Sequence, residues 1–365
     1  MNRRISVYSQ GGVTSATLFY RLYQYFQRMN VDVLYNKQIP DQLYDRVMPL
    51  SNKSIWTKSG LFVLIFLRIN FFLIRDIICR PDFVIVSRTL LNRWYPMYFN
   101  SLLNIIKYRG CTIIWDFDDN ITIREIKPKQ FLSLSRMASK IIIASPYLKE
   151  LVHTDFRSKI VLLPTTDGTL NPKYNNEIQE NRKQNFKKHI NLLWVGTATG
   201  LKNVELILPR LDSAAELINK LGKDTILTIV SNGKIEYKTK YLKINNVKWT
   251  RNVAENAFIE GHIGLMPLQD SEFRRGKGGF KLIQYLSIGL PSLASNIGIN
   301  ADILSKGGGT LVKDIFSDSW EKEIVRFAFD LEYWEKNSIQ AVDNYICNYN
   351  FETNLTRWKA IINKE

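Results

Sequence analysis

The sequence contains few cysteines and few histidines. Of its 365 residues, three are cysteine and three are histidine. These six residues lie far apart, so none of them has the short spacing that zinc sites use. An odd and scattered set of cysteines cannot form a disulfide framework, which favours a reducing compartment. The scarcity of both residue types therefore excludes disulfide-stapled and zinc-finger proteins.

The sequence also lacks a hydrophobic run long enough to cross a membrane. The nearest candidate, Gly60–Ile78, is interrupted by three charged residues and an asparagine. A membrane-spanning helix needs about 20 mostly apolar residues. The sequence also does not open with a signal-peptide pattern, so a cytoplasmic location is expected. A helix that is buried, or one that lies on a bilayer surface, stays compatible with this stretch.

Negative charge is scarce in the first half of the chain. Residues 1–185 carry 26 Lys and Arg against 14 Asp and Glu, whereas the remainder carries 24 against 20. The formal net charge of +16 is therefore concentrated in the first half. Such a surface suits a nucleic acid, an anionic membrane or a phosphorylated substrate. The interleaved aromatic and basic residues of a nucleic-acid module are missing, so no nucleic-acid partner is expected.

What the sequence does contain is an alternation of short apolar strand patterns with longer amphipathic helical patterns. This alternation is typical of parallel sheets covered by helices. The predicted strands are Ile5–Ser9, Phe83–Ser87, Thr112–Asp116, Lys140–Ala144, Ile160–Leu163, Asn191–Val195, Thr225–Val230, Val247–Trp249, Ile263–Pro267, Ser292–Ala294 and Thr310–Val312. The predicted helices are Thr14–Asn30, Leu61–Ile78, Tyr98–Tyr108, Asn203–Lys220, Val253–Glu260, Gly279–Ile288, Ser319–Asp330 and Asn350–Lys364.

The alternation is interrupted once, by the polar run Asn171–His189. This run has almost no apolar periodicity and predicts a linker with an exposed loop. The chain length itself favours two domains of roughly 100–200 residues each. We therefore expect a first domain at 1–185 that includes the linker, a second at 186–345, and a last helical segment at 346–365.

A pair of glycines follows the first predicted strand. The segment Ser9–Thr14 reads SQGGVT and leads directly into a helical pattern. Gly11 and Gly12 allow either a tight strand-to-helix turn or a close approach of the backbone to a ligand. The GxGxxG spacing of a dinucleotide site is missing.

Three carboxylates follow another predicted strand, where the segment 113–119 reads IIWDFDD. Asp116, Asp118 and Asp119 thus stand at the carboxyl end of the strand, the edge at which open α/β sheets bind ligands. Clustered carboxylates need a cation, a basic side chain or sugar hydroxyls beside them. The residues leave three interpretations open: a metal-binding Asp-x-Asp pair, hydrogen bonds to hydroxyl groups, or helix capping.

The segment 263–291 is the richest in candidate binding residues. A strand pattern ends at Pro267, the loop RRGKGGFK follows at 274–281, and a helical pattern then runs to Gly289. A glycine-rich basic loop at a helix N-terminus combines backbone N–H donors, the helix dipole and fixed positive charge. This combination predicts a site for a diphosphate.

This segment resembles the donor-binding region of GT-B glycosyltransferases related to family 4. In that family a run P-L-…-G-K-…-K-L-x-E-Y-…-G-x-P crosses the donor site, and residues 267–291 follow it in order. Four further resemblances occur in chain order: WDFDDN at 115–120, ASPYL at 144–148, LPTTD at 163–167 and LWVGT at 193–197.

The resemblance implies an α/β protein of the GT-B fold, with two Rossmann-like domains facing across a cleft. It implies no cofactor and no metal ion. The donor-binding residues that it implies are Gly196, Lys202, Lys277, Lys281, Gln284, Gly298 and Asn300. It places Gly11 and Gly12 on the acceptor side of the cleft. The catalytic candidates are Asp116, Asp118, Asp119 and Lys277, with Asp118 as a base.

The chain departs from the family where many members carry two glutamates with seven residues between them. Gly276 and Gln284 occupy those positions. A glutamine can still hydrogen-bond a ribose hydroxyl, although without the assistance of a charge. A Gln284→Glu substitution is therefore expected to be tolerated.

The function expected from these features is the transfer of a sugar from a nucleotide-sugar donor to a glycan or lipid-linked glycan during surface polysaccharide synthesis. The transfer is expected to be retaining and metal-independent. Two alternatives stay open: a metal-dependent GT-A-type transferase using Asp116 and Asp118, and a non-catalytic glycan-assembly subunit.

The basic first half also predicts a peripheral position on the inner face of the cell membrane. Lipid acceptors lie in a bilayer whose cytoplasmic leaflet is anionic, and this leaflet attracts Lys and Arg. The apolar residues Leu61, Phe62, Phe66 and Phe72 are interpreted as the buried face of a core helix, with shallow insertion into the bilayer as the alternative.

Overall fold

A computed structural model of the protein describes residues 3–47, 53–92, 95–123 and 125–363. The chain forms two compact units. The first comprises Met1–Thr165 and Glu352–Glu365, and the second comprises Thr166–Phe351. Each unit contains one parallel six-stranded sheet with its own buried core. The predicted α/β class with Rossmann-like units is confirmed.

The first unit alternates strands and helices along the chain. Its strands are β1 (Arg3–Ser9), β2 (Val31–Lys37), β3 (Phe83–Ser87), β4 (Thr112–Phe117), β5 (Lys140–Ile143) and β6 (Ile160–Leu162). Its helices before the second unit are α1 (Ala16–Leu18), α2 (Gln24–Phe26), α3 (Asp41–Val47), α4 (Ile55–Cys79), α5 (Tyr98–Tyr108) and α6 (Pro128–Met137). A π-helical segment, Phe19–Tyr23, joins α1 to α2.

The strand order in the first sheet is β2-β1-β3-β4-β5-β6, with every pairing parallel. β3 is buried along its whole length, which is why its sequence FVIVS is almost continuously apolar. β2 lies at the edge and alternates in burial, and it was missing from the predicted strands. Its sequence VDVLYNK places polar residues between apolar ones, as an edge strand allows.

The second unit also alternates strands and helices along the chain. Its strands are β7 (His189–Val195), β8 (Asp224–Ser231), β9 (Lys243–Lys248), β10 (Ile263–Met266), β11 (Ser292–Ser295) and β12 (Gly309–Val312). Its helices are α7 (Asn176–Phe186), α8 (Leu201–Lys220), α9 (Arg251–Glu260), α10 (Glu272–Arg275), α11 (Phe280–Ser287), α12 (Asn300–Leu304), α13 (Ser319–Phe329) and α14 (Leu331–Asn344). The strand order is β12-β11-β10-β7-β8-β9, again with parallel pairing throughout.

The predicted linker at Asn171–His189 is instead largely the helix α7, and it belongs to the second unit. Arg182 of α7 is buried and explains this placement. Its guanidinium donates hydrogen bonds of 2.8 to 3.0 Å to the carbonyls of Phe258, Ile259, Ile288 and Gly289. These carbonyls lie at or just beyond the C-terminal ends of α9 and α11, where carbonyl groups need donors from elsewhere. The first unit accordingly ends at Thr165, not at residue 185.

The last helix, α15 (Phe351–Asn363), runs into the first unit, to which residues 352–365 belong. Trp358 is buried, and its ring lies 5.3 Å from that of Phe26. Asn354 donates a 2.7 Å hydrogen bond to the carbonyl of Pro164.

Within the described ranges, no helix is both long enough and apolar enough to span a bilayer.

Candidate functional site

Each sheet has one point at which the strand order reverses. In the first unit it lies between β1 and β3, and in the second between β7 and β10. At such a point the loops leaving the carboxyl ends of the two strands diverge to opposite sides and open a crevice, where open α/β sheets bind their ligands. The two crevices differ in the side chains that surround them.

In the second unit, two helices start beside the crevice. α8 follows β7 through residues 196–200, and α11 follows β10 through residues 267–279, which include the short helix α10. Within the described residues, no side chain caps either N-terminus, because the capping positions are Gly200 and Gly279. Unpaired N–H groups and the helix dipole make such an end attractive to an anion.

Both helices carry a lysine at the second position of the first turn, namely Lys202 and Lys281. Neither first turn contains an acidic residue, and both lie wholly in the described part of the chain. A lysine at this position opposes the positive end of the helix dipole, so it does not improve the helix itself. Residues that break such a local rule are expected at functional sites.

The side chain of Lys281 reaches the carboxyl end of β7. Its Nζ lies 5.2 Å from the ring centre of Trp194. A Cβ on Gly196 would lie 2.9 Å from Cε of Lys281 and 2.7 Å from the Trp194 ring. Glycine at position 196 is therefore required for this approach. The structure thus brings together Gly196 and Lys281, which the sequence had predicted as donor-binding residues, and adds Trp194.

The other two predicted lysines have different surroundings. Nζ of Lys277 lies 4.6 Å from the ring centre of Phe273, in the loop between β10 and α11. Lys202 is exposed on the first turn of α8.

A hydrogen-bond network holds the carboxyl edge of the second sheet. The Oδ1 atom of Asn203 accepts from the N–H of Gln269, and the Oγ of Ser295 accepts from the N–H of Leu268. Asn300, which was predicted to bind the donor, is buried and donates its Nδ2 to the carbonyl of Ser295 at 3.0 Å. The structure therefore uses the amide of Asn300 to hold the loop that follows β11.

Gly298 also shapes this loop. Its φ is +56°, and a Cβ there would lie 2.5 Å from the carbonyl oxygen of Arg275. Both facts require glycine, so the loop after β11 packs directly on the backbone at the end of α10.

Gln284 on α11 is buried, and its Nε2 donates a 2.9 Å hydrogen bond to Oδ2 of Asp167. The other carboxylate oxygen of Asp167 accepts from the N–H and the hydroxyl of Thr169 at 2.9 and 2.7 Å. A glutamate at position 284 would place a second carboxylate against Asp167 without the donor that the amide supplies. We therefore expect Gln284→Glu to destabilise the protein, contrary to the expectation from the sequence.

In the first unit, a polar cavity of about 150 Å³ lies where β1 and β3 end. Ser9 and Ser87 are the last residues of those strands and contribute to its wall. The remaining lining residues are Gln10, Ser15, Thr17, Leu18, Tyr44, Arg88 and Glu125.

The predicted Gly11 and Gly12 are not among the residues that line this cavity, but they pack closely against α3. A Cβ on Gly11 would lie 2.5 Å from the ring of Tyr44, which lines the cavity. A Cβ on Gly12 would lie 1.9 Å from Oδ1 of Asp41. α3, which carries both partners, can approach the loop after β1 only because the two residues are glycine.

Arg88 organises the acidic side of the cavity. Its guanidinium lies 2.7 Å from Asp118 and 3.3 Å from Asp119, and it forms a two-pronged ion pair with Glu125. Its φ of +64° is unusual for a residue other than glycine, and its N–H donates to the carbonyl of Asp116 at 2.7 Å. Three carboxylates thus face one guanidinium, which leaves a formal excess of two negative charges.

Burial and this crowding change the protonation of the cluster. Burial raises the pKa of the Asp118 carboxyl above its usual range, Arg88 opposes that rise, and the negative charge of Asp119 adds to it. Burial alone would lower the pKa of Arg88, but Asp118 and Glu125 raise it far above its ordinary value. The raised pKa of Asp118 suits this carboxyl to exchanging a proton.

Asp116 has a different role from the carboxylates around Arg88. It is fully buried and ion-paired with the equally buried Arg21 of the π-helical segment. Arg21 also donates to the carbonyl of Leu163 at 2.5 Å and to the hydroxyl of Thr165 at 3.3 Å. This geometry gives Asp116 a structural role, and it argues against a metal-binding pair with Asp118 because Arg21 already satisfies the carboxylate.

The sequence reasoning missed Arg88, Glu125 and Arg21. Arg88 could have been noticed, because it directly follows the predicted strand Phe83–Ser87. Asp118 stands in the equivalent position after β4. Arg21 and Glu125 gave no such signal, because their roles depend on residues distant in sequence.

No protein-family model matches the sequence, and no curated protein has a similar one. Solved structures with a similar fold do exist. HepE from Anabaena, in complex with UDP-glucose, superposes with a TM-score of 0.67 at 9% identity over 99% of this chain and 100% of that one. A glycosyltransferase from Rickettsia africae gives 0.62 at 13% identity over 100% and 98% of the two chains. The sucrose-phosphate synthase of Thermosynechococcus elongatus gives 0.62 at 11% identity over 100% and 99%.

Identities this low establish the fold and nothing finer. The likeness extends over essentially the whole of each chain, including both six-stranded sheets. The protein therefore has the architecture of two Rossmann-like domains that GT-B glycosyltransferases share.

Proposed function

We propose that the protein is a glycosyltransferase that uses a nucleotide-sugar donor. The second unit binds the donor at the crevice between β7 and β10, and the first unit binds the acceptor. The observation that carries the proposal is the pair of helix N-termini, α8 and α11, which start at one crevice without side-chain caps and with Lys202 and Lys281 in their first turns.

This arrangement suits a diphosphate for electrostatic reasons. Backbone N–H groups, two helix dipoles and two lysines provide positive potential at one edge of the sheet. When a sugar is transferred, the bond between its anomeric carbon and the diphosphate oxygen breaks, and a bond to an acceptor oxygen forms. The leaving diphosphate gains negative charge, and Lys281 and Lys277 are proposed to stabilise that charge.

The first unit offers complementary chemistry for an acceptor. Its cavity is lined by hydroxyl groups and by Arg88 and Glu125, and Arg88 is ion-paired with Asp118 and Asp119 behind this wall. Carboxylates accept hydrogen bonds from sugar hydroxyls, and the excess negative charge disfavours an anionic group there. Asp118 is proposed to receive the proton that the acceptor hydroxyl releases, with Asp119 holding a neighbouring hydroxyl.

The biological context is proposed as surface polysaccharide synthesis. The acceptor is then a glycan or a lipid-linked glycan, and the protein works at the inner face of the cell membrane with no nucleic-acid partner. A metal-independent and retaining reaction is part of the same proposal. The basic charge of residues 1–185 and the lysines at the donor crevice support this context.

The decisive experiment is calorimetric titration of the full-length protein with UDP, GDP and UDP-glucose. Lys281→Ala should weaken binding by about ten- to a hundredfold, because a hydrogen bond to a charged group contributes about 1.5–3 kcal/mol. Lys202→Ala should weaken it less, since this lysine is exposed. Lys220→Ala is the matched control, because it removes a lysine from the other end of the same helix.

The outcomes separate the alternatives. Tight binding without release of nucleoside diphosphate from any donor would favour a non-catalytic glycan-assembly subunit. Equal affinity of the wild type and of Lys281→Ala would disprove the assignment of the donor crevice.

A further inference from the structure

The outer face of α4 carries an apolar stripe. Its members are Trp56, Val63, Leu67, Phe71, Ile74 and Ile78, each more than half exposed. Successive members are separated by seven, four, four, three and four residues. At 3.6 residues per turn these spacings keep all six within an arc of about 80°. The exposed apolar side chains therefore form one continuous line along the helix.

The opposite face of the same helix is apolar as well. Leu61, Ile69 and Leu73 are buried against the sheet. Phe62, Phe66 and Phe72 pack against the same core. The sequence-based interpretation of Leu61, Phe62, Phe66 and Phe72 as the core-facing side of a helix is therefore confirmed, and their alternative role in lipid insertion is not supported. The stripe is a separate set of residues.

A long surface helix of this protein does not need an apolar outer face. α8 also covers a sheet with one face, and its outer positions include the charged residues Lys202, Glu205 and Lys220. That is the ordinary pattern for a helix between core and water. The stripe on α4 breaks this pattern along its whole length, and contiguous exposed apolar patches of this kind mark interaction surfaces.

α5 extends the surface beside α4. The hydroxyl of Tyr98 on α5 donates to Oδ1 of Asn70 on α4 at 2.6 Å, which joins the two helices. Tyr98 is itself exposed, as are Ile105 and Tyr108 farther along α5. In the same layer, a recess of about 350 Å³ is lined by Phe62, Phe66, Tyr95 and Pro96. Exposed tryptophan and tyrosine beside aliphatic residues are typical of protein surfaces at the membrane–water interface.

The charged residues of α4 and α5 select among the partners of the stripe. Asp76 is the single acidic residue in the sequence of α4 and α5, and it is buried against Arg75, Ser6 and Tyr8. The exposed charged residues on and just beyond these helices are cations, namely Lys58, Arg80, Lys107 and Arg109. A symmetric pairing of two copies would bring together two surfaces that both carry excess positive charge. An anionic lipid surface instead attracts these cations while the stripe enters the apolar layer.

We infer that α4 lies in the surface of an anionic phospholipid bilayer, with the stripe inserted and α5 beside it. The inference gives the proposed membrane partner a defined surface. It does not depend on glycosyl transfer, so either can fail without the other.

The test is flotation of the full-length protein with phosphatidylcholine vesicles, with and without phosphatidylglycerol. The wild type should float with the anionic vesicles and stay in solution with the neutral ones. A Trp56→Ser, Leu67→Ser, Phe71→Ser variant should lose at least tenfold in vesicle affinity without a lower Tm, because these side chains are exposed. Leu206→Ser, Leu217→Ser is the control, since it removes two exposed leucines from α8.

Insertion has its own readout. Phospholipids brominated on the acyl chain should quench the tryptophan fluorescence of the wild type, and Trp56→Phe should lose most of that quenching while it still floats. Donor binding by the triple variant, measured by calorimetry, should equal that of the wild type.

Three results would overturn the inference. They are a wild type that ignores both vesicle types, a triple variant that floats as well as the control, and a wild-type dimer that the triple variant dissociates. The last would identify a second copy as the occupant.

Discussion

Each unit contains a parallel six-stranded sheet with one reversal of strand order, yet the crevices at the two reversals carry opposite chemistry. In the first unit, Arg88 is surrounded by Asp118, Asp119 and Glu125. In the second unit, Lys202 and Lys281 stand on two uncapped helix N-termini within the described part of the chain. The sheet order places a crevice, and the loop residues decide which ligand it suits. The acidic crevice suits hydroxyl groups, and the basic one suits a diphosphate.

The two units also differ in the groups that pair with a buried arginine. Arg21 in the first unit is satisfied mainly by the carboxylate of Asp116. Arg182 in the second unit is satisfied by four backbone carbonyls at helix ends. Burial lowers the pKa of Arg182 to about 9, whereas Asp116 outweighs the effect of burial and raises the pKa of Arg21. An arginine can therefore be buried against either a carboxylate or a set of backbone carbonyls. The pKa of the guanidinium is raised in the first case and lowered in the second.

Breaking the first unit's buried pair should give the largest effect. Asp116→Asn should lower the free energy of unfolding by about 3–5 kcal/mol, because it leaves the buried charge of Arg21 without its counter-charge. Chemical denaturation measures the change. The exposed pair Arg210–Asp318 is the control, since Asp318→Asn should cost less than about 1 kcal/mol. Similar losses from both variants would mean that the Arg21 pair contributes no more than a surface pair.

Acid should destabilise the second unit through His262. Burial lowers the pKa of this histidine to about 3, and its ring accepts the N–H of Asn191 at 2.9 Å. The unfolded chain binds a proton below about pH 6.5 and the folded protein does not. Stability should therefore fall by about 1.4 kcal/mol per pH unit between pH 6.5 and 3.

Calorimetric Tm values across this range provide the measurement for His262. His262→Gln, compared with the wild type, should have a shallower pH dependence even though its Tm at neutral pH is lower. An unchanged slope would show that His262 does not control the acid response.

The next prediction introduces a pair of neighbouring carboxylates into the second unit, at positions 167 and 284. Gln284→Glu should lower the free energy of unfolding by about 1–3 kcal/mol, because Asp167 loses a donor and gains a like charge. Asp167→Asn combined with Gln284→Glu should recover most of the loss, since the asparagine amide can donate to the new carboxylate. Urea denaturation of the single and double variants decides, and a double variant less stable than Gln284→Glu alone would contradict the role of the pair.

The smallest effect is expected in the first unit's crevice. Asp119→Asn removes a negative charge that helps to raise the pKa of Asp118. The pKa of Asp118 should fall, so the acidic limb of the kcat/KM profile should move to lower pH. The profile of an Asp155→Asn variant, altered at an exposed carboxylate elsewhere in the unit, serves as the control. A limb that does not move would exclude Asp118 as the titrating base.

Local sequence patterns predicted most of the fold. β3 and α5 occur at the predicted residues, and most other strands differ from their predictions by a few residues at the ends. Their apolar runs are short and bounded by polar or glycine residues, so neighbouring residues suffice to define them. The elements that the sequence did not predict are β2, α3, α6, α7, α10, α12 and α14. β2 and α7 were missed because both are rich in polar residues. α7 in particular depends on Arg182, whose four acceptors lie 76 to 107 residues away in the sequence.

The sequence by itself therefore determined the alternating elements, the glycine-rich loops and the basic residues beside the second unit's crevice, because each of these depends on residues close together in the chain. Tertiary structure alone decided the roles of individual side chains. Asp116 is a structural residue because Arg21, 95 positions earlier, reaches it in the core. α4 is apolar on both faces, so its sequence could not indicate which face meets the sheet and which remains exposed. Packing against the sheet decides this, because it buries one face of α4 and leaves the other exposed.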